Sequence, residues 1–290
     1  MTVPILSGYA PLAARYDAAI LDLWGVLHDG RKAHPAALDC LAEMGKAGTR
    51  RVLLSNAPRR SHIVVEQTAA LGLARDTYDA IVTSGDIART ALAAALEGGA
   101  AWGRRYFHLG PARDVDLLTG LDYEAVKDVE AADFILNTGL FDDETETPDD
   151  YADFFRAALA RGQPITCVNP DLTVMRGSRA VPCAGALAAA YMALGGHVEA
   201  FGKPHASAFE ASFATLGGIA RERIVMIGDS LRTDIAGAHA AGIDAVFVAG
   251  GIHAAELGCA EGEPLDAARL QRLIEASGQT PVAALAALAW

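Results

Sequence analysis

Short apolar runs recur along this chain with helix-like segments between them, and this alternation limits the possible folds more than any other feature. Five such runs are AAIL before Asp22, RRVLLSN (50–56), DAIVTS (79–84), RIVMIGD (223–229) and DAVFVAG (244–250). The intervening patterns, such as HPAALDCLAEMGKAG and RRSHIVVEQTAALG, are typical of helices and end in a glycine where a left-handed cap is expected. Strands that alternate with helices predict a doubly wound parallel sheet of the Rossmann-like α/β class.

A second group of strand-like runs interrupts this pattern in the middle of the chain. These runs are RYFHLG (105–110), DFILNTG (133–139) and PITCVNP (164–170), with a helical pattern before the last one. Glycine-bearing turns, TSGD and PCAG, flank the group. We predict a smaller α/β cap domain over residues 87–183, inserted into a core domain formed by residues 1–86 and 184–290.

Composition and charge narrow the class of protein. Of the 290 residues, 52% are hydrophobic and 21% are charged, which excludes an intrinsically disordered chain. The net charge of −12, without any Lys- and Arg-rich run, argues against a nucleic-acid partner. The apolar runs GALAAAYMALGG and PVAALAALAW are too short to span a bilayer, so no membrane partner is expected. The N-terminal stretch is a poor signal peptide and the four cysteines are scattered, which indicates reduced thiols in a cytoplasmic protein.

Reactive side chains follow several of the predicted strands. They are Asp22, Ser55 with Asn56, Asp229 followed by Asp234, and Lys203 in a loop. In an open parallel sheet, ligands bind beyond the carboxyl ends of the strands, where such residues would meet. Three carboxylates in one crevice repel each other unless a cation lies between them, and they are hard oxygen ligands suited to Mg²⁺. A hydroxyl and an ammonium beside them would bind phosphate oxygens. The set indicates a phosphoryl-transfer site.

Four ordered segments, DLWGVL, LLSN, GKP and IGDSLRTDIAGAHAAG, resemble the motifs of the haloacid dehalogenase (HAD) superfamily. The insertion between the second and third motifs resembles that of class IIA, the branch with 4-nitrophenyl, pyridoxal and sugar or nucleotide phosphatases. The segments TSGD, NPDLTVMRG and CAGALAAAYMALGG match the same class. The resemblance implies a Mg²⁺-dependent hydrolase of a small phosphorylated metabolite, a sugar, nucleotide or aryl phosphomonoester. It also allows a homodimer, because caps of this class often mediate dimers.

The resemblance implies a role for each of the reactive side chains. Asp22 would be the nucleophile and form an aspartyl-phosphate, while Ser55 and Lys203 would complete the catalytic set and hold the phosphate. Asn56 would shape its loop and offer its backbone amide to the substrate. The implied ligands of Mg²⁺ are Asp22, the backbone carbonyl of Trp24, Asp229 and Asp234.

The predicted cap also carries candidate substrate contacts. Asn169 and Asp171 lie in the NPDLTVMRG segment, which faces the site in class IIA, so we expect them to contact the substrate. The alternative is that they form an Asx turn enforced by the proline between them. Arg59 and Arg60 either touch a second anionic group of the substrate or solvate a helix start. The acidic stretch 141–150 would repel a phosphate, so most of its carboxylates are expected to face solvent.

Trp24 stands where phosphatases of this superfamily carry a second aspartate, which protonates the leaving oxygen. Its indole N–H donates hydrogen bonds but has no useful acidity. General acid–base catalysis contributes roughly 10²–10⁴ in rate, so we expect slow turnover, above all of alkyl phosphates. His28 or Asp29 in the following loop is a candidate replacement acid, although a structural role in the turn fits His28 equally well.

Two other functions remain open on the same residues. Trp24 also fits a catalytically impaired member that binds a phosphorylated metabolite. An aromatic at this position further resembles the D-x-Y-G-T pattern of L-2-haloacid dehalogenases, metal-independent hydrolases of carbon–halogen bonds. Those enzymes carry their cap directly after the first motif, and here the acidic GDS…TD set is retained, so phosphate chemistry is the favoured interpretation.

Overall fold

The computed structural model describes residues 2–99, 102–177, 179–259 and 264–290. The strands in these ranges are β1 Ile5–Leu6, β2 Ala18–Asp22, β3 Arg50–Ser55, β4 Ala80–Thr83, β5 Arg105–Leu109, β6 Glu124–Val126, β7 Phe134–Asn137, β8 Ile165–Cys167, β9 Thr173–Arg176, β10 Arg179–Pro182, β11 Val198–Ala200, β12 Ile224–Gly228, β13 Asp244–Val248 and β14 Ala283–Leu285. The α-helices are α1 Pro35–Lys46, α2 Ser61–Ala70, α3 Ser84–Glu97, α4 Ala152–Ala160, α5 Ala184–Ala193, α6 Ala206–Leu216, α7 Ala236–Ala240, α8 Ala254–Leu257 and α9 Ala267–Ser277.

The larger sheet contains seven strands in the order β1-β14-β13-β12-β2-β3-β4. All neighbouring strands in it run parallel. Asp22 pairs in register with Leu54, and Leu21 pairs with Ile227, so β2, β3 and β12 end side by side. The predicted doubly wound α/β core is confirmed, and the reactive residues that follow these three strands lie at one edge.

The central strand β2 explains why the sequence forms a sheet covered on both faces. Its five residues are all buried. Ala18 and Ile20 pack in one hydrophobic cluster, while Ala19 and Leu21 pack in a second cluster on the opposite face. A strand that buries both faces needs a continuous apolar run rather than an alternating one, as AAIL provides.

The inserted region forms a second sheet of five strands, in the order β11-β8-β7-β5-β6, and a separate hairpin of β9 and β10. The neighbours in the five-stranded sheet are parallel, whereas the hairpin is antiparallel. An inserted α/β unit is therefore present.

The limits of the inserted sheet differ from the predicted limits of the cap at 87 and 183. The sheet continues to β11, because a parallel strand next to β8 requires a crossover and α5 supplies it. At the other end, position 87 falls inside α3, whose Ile87 and Leu92 pack in the same cluster as the core strand residue Val52. The division into two domains remains a prediction.

The inserted unit is packed against the core through apolar side chains. Tyr106 and Phe134 of the second sheet belong to one hydrophobic cluster with Val52 and Leu54 of β3. This continuous packing positions the β9–β10 hairpin over the carboxyl ends of the core strands. No helix within the described ranges is long and apolar enough to cross a membrane.

Candidate active site

Asp22, the predicted nucleophile, is buried at the end of β2. Its Oδ1 accepts hydrogen bonds from the backbone N–H of Leu23 (2.8 Å) and from Nζ of Lys203 (2.6 Å). Among the described residues nothing donates to Oδ2, so that oxygen is available to a ligand. Lys203 is 2% exposed, and its Nζ also lies 2.7 Å from Oδ1 of Asp234. The ammonium thus joins two of the predicted carboxylates.

Asp229 and Asp234 lie beside Asp22. Asp229 directly follows β12, and its Oδ2 accepts the backbone N–H of Ile252 at 2.7 Å. Asp234 lies in the helical turn Leu231–Ile235, and its Oδ2 accepts the backbone N–H of Ser230 at 3.0 Å. One oxygen of each of the three aspartates lies within 4.8 Å of the others. We call Asp22, Ser55, Lys203, Asp229 and Asp234 the floor of the site.

Gly25 of the DLWGVL segment permits this close approach. Its φ is +82°, and a Cβ at this position would lie 2.0 Å from Oδ2 of Asp229. Any other residue would be strained at this φ and would displace the carboxylate. The glycine of the motif is therefore required by the packing of the floor.

The floor holds an excess of buried negative charge. Burial raises the pKa of Asp22 to about 7, although Lys203 opposes this rise, and Asp234 adds to it. Burial and the neighbouring Asp22 and Asp234 raise the pKa of Asp229 well above its usual range. Burial alone would lower the pKa of Lys203, but the surrounding aspartates raise it, so this side chain remains an ammonium. With all three aspartates ionised, two negative charges stay uncompensated.

This arrangement fits a divalent cation. The donors are carboxylate oxygens, which hard cations such as Mg²⁺ prefer. Oδ1 of Asp234 is buried and accepts no hydrogen bond, since Lys203 lies close to it without hydrogen-bond geometry. A cation here would balance a buried charge that is otherwise costly. Asp22, Asp229 and Asp234 are the side chains that would hold it, and the participation of the Trp24 carbonyl stays a prediction.

Ser55 and Asn56 stand at the end of β3 on the other side of Asp22. The Ser55 Oγ accepts the backbone N–H of Ala57 at 3.1 Å and lines a cavity together with Asp22. The Asn56 side chain does not face this cavity freely. Its Oδ1 accepts the Lys203 N–H (2.7 Å), and its Nδ2 donates to the Lys203 carbonyl (3.1 Å) and to Oδ1 of Asp171 (3.0 Å). Asn56 therefore connects the loop after β3 with the lysine loop and with the inserted unit.

Asn169 and Asp171 of the inserted unit lie over the floor. The Asn169 Oδ1 accepts the backbone N–H of Asp171 at 3.0 Å, which is the Asx turn of the alternative interpretation. Both residues nevertheless line the cavity that contains Asp22 and Ser55. The turn and the contact with the site are thus compatible.

Trp24 connects the core to the inserted unit. Its Nε1–H donates to the backbone carbonyl of Met175 in β9 at 2.5 Å. Its ring packs edge-on against His28, with centroids 5.2 Å apart. The side chain at the position of the missing acid is therefore used to hold the β9–β10 hairpin over the floor.

The structure argues against both replacement acids suggested by the sequence. His28 is 5% exposed, its Nδ1 accepts the Gly30 N–H at 3.1 Å, and burial lowers its pKa to about 4. It is neutral at physiological pH and lines neither cavity at the floor. For Asp29, burial raises the pKa, but the backbone N–H groups of Lys32 and Arg31 more than offset this and hold the pKa below its usual range. Neither side chain carries a proton of sufficient acidity to give to a leaving group.

Two cavities meet at Asp22. The smaller one, about 180 Å³, lies between the floor and the inserted unit and is lined by Ser55, Arg59, Asp143 and Arg176 among others. The larger one, about 830 Å³, is lined by Asp229, Ser230, Arg232 and residues of the β9 strand. We call the charged side chains of the inserted unit that line these cavities the roof of the site. They are Arg113, Asp114, Asp143, Asp171 and Arg176.

Several of these charged residues escaped prediction from the sequence. Arg113 and Arg176 both bind Asp143, and Arg59 donates from Nε to Asp114 at 2.5 Å. The Arg59 guanidinium is thus committed to a carboxylate rather than to a substrate. Of the acidic stretch, Asp143 turns towards the cavity, while Asp142, Glu144, Asp149 and Asp150 are exposed as expected.

Arg232 was also missed, although it lies within a recognised segment. It donates to the Pro170 carbonyl at 2.8 Å and lies 4.0 Å from Asp171, so it supports the turn above the floor. Its place inside GDSLRTD, and that of Arg176 inside NPDLTVMRG, is the signal that could have drawn attention to them.

Comparisons with known proteins agree with this geometry. Residues 19–124 match the family model described as haloacid dehalogenase-like hydrolase, and residues 200–269 match the one described as HAD-hydrolase-like. No curated protein matches this sequence. A solved 4-nitrophenylphosphatase of Thermotoga maritima is 25% identical, with a TM-score of 0.65 over 87% of this chain and 94% of that chain. A glycerol phosphate phosphatase of Mycobacterium tuberculosis, solved with calcium, is 25% identical, with a TM-score of 0.63 over 87% of this chain and 71% of that one.

A further solved structure extends the similarity to the whole chain. It is a hydrolase of the haloacid dehalogenase-like family from Brucella suis 1330, and 37% of its residues are identical. The TM-score is 0.85, and the match covers 98% of this chain and 100% of that chain. The fold, the four ordered motifs and this similarity lead to one conclusion, that the chain belongs to the haloacid dehalogenase-like hydrolase family.

Proposed function

We propose that this hydrolase is a magnesium-dependent phosphatase that cleaves a small phosphomonoester through an aspartyl-phosphate on Asp22. The observation that carries the proposal is the cluster of three buried aspartates, two of which are paired with one buried lysine. The similar structures from Thermotoga maritima and Mycobacterium tuberculosis are phosphatases by name, which supports the same class of substrate.

The geometry of Asp22 suits attack on phosphorus. Its Oδ1 is fixed by two donors, so its Oδ2 is the oxygen that would bond to the phosphorus. Lys203 and the Ser55 hydroxyl, on either side, would donate to phosphate oxygens as negative charge builds up in the transition state. A divalent cation on the floor carboxylates would supply charge neutralisation and orient the phosphate.

The alternatives suggested by Trp24 are less well supported. A metal-independent dehalogenase has no use for a third buried carboxylate, and Asp229 and Asp234 both lie against Asp22. A protein that only binds a phosphorylated metabolite would not need a nucleophilic oxygen left free of hydrogen bonds. Halide release in the presence of chelator, or tight phosphate binding without turnover, would favour one of these alternatives.

The first experiment measures phosphate release from 4-nitrophenyl phosphate and from glycerol phosphate, with Mg²⁺ and with chelator. We expect turnover only with the metal. Asp22→Asn should lower turnover by roughly 10³-fold or more, because the amide is a poor nucleophile.

Asp17→Asn is the matched control for this substitution. Asp17 precedes the same strand at its opposite end and is bound to Arg223 at the surface. It should leave turnover unchanged. Phosphoester turnover that survives Asp22→Asn would contradict the proposed function.

A further inference from the structure

Because Trp24, His28 and Asp29 cannot deliver a proton, the proposed reaction needs a donor from elsewhere. We propose that Asp171, carried by the inserted unit, is the general acid and base of this enzyme. The inference rests on the proposed phosphatase function and adds a catalytic residue to it.

The position of Asp171 between the two cavities carries the proposal. Among the residues that the structure describes, only Asp22, Trp24, Asp171 and Val174 line both cavities. Asp22 is the nucleophile, Val174 has no titratable group, and the Trp24 indole is bound to Met175. Asp171 is thus the one remaining side chain with an exchangeable acidic proton at the junction where a leaving group would lie.

The backbone around Asp171 is firmly held. Its N–H is bound by Asn169, and α5 begins so close to it that a Cβ at Gly185 would lie 2.5 Å from the Asp171 carbonyl oxygen. Its Oδ1 accepts the Asn56 amide at 3.0 Å. In the described part of the chain no hydrogen bond reaches Oδ2, which leaves that oxygen to interact with a substrate. A catalytic acid needs such fixed placement with one free oxygen.

The other carboxylates around the cavities are engaged. Asp114 is bound by Arg59, Asp143 is bound by Arg113 and Arg176, and Asp29 accepts two backbone N–H groups. Asp171 has the Asn56 amide as its hydrogen-bonded partner, and Arg232 approaches it only to 4.0 Å. It is therefore the roof carboxylate least committed to the charged form.

Charged and titratable groups face Asp171 from several elements. Burial is the largest influence and raises its pKa, and Asp234 adds to the rise. Lys203, the Asn56 amide and Arg232 act in the opposite direction without cancelling it. Asp22 lies near enough to interact with it, as do the buried thiols of Cys167 and Cys183. A protonated Asp171 is consistent with these surroundings.

The proposed reaction has two steps. The Asp22 carboxylate forms a bond to phosphorus as the bond from phosphorus to the leaving oxygen breaks, and Asp171 gives its proton to that oxygen. The products are an alcohol, an aspartyl-phosphate and ionised Asp171. Asp171 then takes a proton from water as the water oxygen bonds to phosphorus and the bond to Asp22 breaks. Inorganic phosphate leaves, and both aspartates return to their initial states.

The test compares Asp171→Asn with the wild type on two esters. Asparagine keeps an oxygen to accept the Asn56 amide but has no proton of sufficient acidity to give. 4-Nitrophenyl phosphate releases a stable phenolate without protonation, whereas glycerol phosphate releases an alkoxide that requires it. Both esters need Asp171 as the base in the second step, so we compare kcat/KM, which reports only on the steps up to formation of the aspartyl-phosphate. We expect kcat/KM for glycerol phosphate to fall by roughly 10²–10⁴-fold and kcat/KM for 4-nitrophenyl phosphate by less than about threefold.

The ratio of the two kcat/KM values is the deciding quantity, because both esters are measured on the same sample and a loss of folded protein cancels. His34 is a rival donor, because it also lines the larger cavity, so His34→Gln is measured in parallel. Equal losses of kcat/KM on both esters in Asp171→Asn, or a selective loss of kcat/KM for glycerol phosphate in His34→Gln instead, would overturn the assignment of Asp171 while leaving the phosphatase function intact. A wild type that releases phosphate from neither ester would overturn both.

Discussion

In the floor of the site, three buried carboxylates lie beside one ammonium, which is paired with two of them, whereas in the roof Asp114 and Asp143 are each bound by at least one arginine guanidinium. The consequences for protonation differ. Burial raises the pKa of the floor residues Asp22 and Asp229. Burial also acts to raise the pKa of Asp143, but Arg176 and Arg113 overcome it and lower the pKa below its usual range.

This difference indicates what each surface is built to receive. The floor carries an excess of negative charge that a bound divalent cation can balance. The roof has already neutralised its own charges, so it offers polar groups without a strong net field. We therefore expect the floor to govern metal binding and the transfer of the phosphoryl group to Asp22. Apart from the proposed acid Asp171, we expect the roof to govern the choice of the group attached to the phosphate.

The largest effect should come from the floor. A saturating concentration of Mg²⁺, about 100 times its dissociation constant, would stabilise the folded protein by about 2.7 kcal/mol and raise Tm by several degrees. Asp229→Asn should abolish this response and also stabilise the metal-free protein, since it removes one of the mutually repelling charges. Thermal unfolding with Mg²⁺ and with chelator measures both effects.

Asp17→Asn again serves as the matched control, because it removes a carboxylate at the surface end of the same sheet and should respond to Mg²⁺ as the wild type does. If Asp229→Asn kept the full metal response, or destabilised the metal-free protein, the floor would not hold an excess of buried negative charge.

A second effect comes from His28, the buried base next to the floor. Its folded pKa of about 4 lies below the ordinary value near 6.5, so the neutral form stabilises the fold above pH 6.5. This stability is lost as pH falls towards 4, because protonation of the histidine favours the unfolded chain. By pH 5 the free energy of unfolding has fallen by about 2 kcal/mol. His28→Asn keeps an acceptor for the Gly30 N–H but gains no proton. Urea unfolding at pH 7.5 and pH 5 should therefore show a smaller loss for the variant, and equal losses would contradict the buried, neutral assignment.

The floor could be predicted from the sequence because it depends on the order of strands. Asp22 and Asp229 each follow an apolar run, and parallel strands bring such positions to one edge of a sheet. The fold and the family followed from the same motifs. A sequence does not contain the distances that decide which carboxylate oxygens stay free of hydrogen bonds. For the same reason it does not show that the Trp24 indole binds Met175.

Most contacts of the roof could not be predicted from the order of the strands. Asp143 and Arg176 lie 33 positions apart and meet only because the β9–β10 hairpin turns back over the second sheet. Each strand of that hairpin has four residues, too few for a clear periodic pattern. The predicted limit of the cap at 183 precedes α5 and β11, and the sequence gives no sign that β11 pairs with β8 of the second sheet.

The smallest expected effect tests the neutral character of the roof. Asp143→Asn would leave Arg113 and Arg176 without the carboxylate that they share, so the smaller cavity would become more positive by one charge. The measured quantity is kcat/KM for a phosphoester with an added carboxylate, divided by kcat/KM for glycerol phosphate. We expect this ratio to rise about fivefold in the variant, and the rise to shrink at high salt.

Asp153→Asn is the control for this substitution, because Asp153 forms a similar ion pair with Arg156 but is 94% exposed, away from both cavities. In Asp153→Asn the ratio of the two kcat/KM values should stay at the wild-type value, as expected for an exposed ion pair. If Asp143→Asn left the ratio unchanged as well, the arginines of the roof would not face the substrate. The choice of substrate would then be set in the larger cavity, on the side of Arg232. A change in kcat for glycerol phosphate itself would mean that the roof acts on the floor rather than on the leaving group, and the division of tasks between the two surfaces would fail.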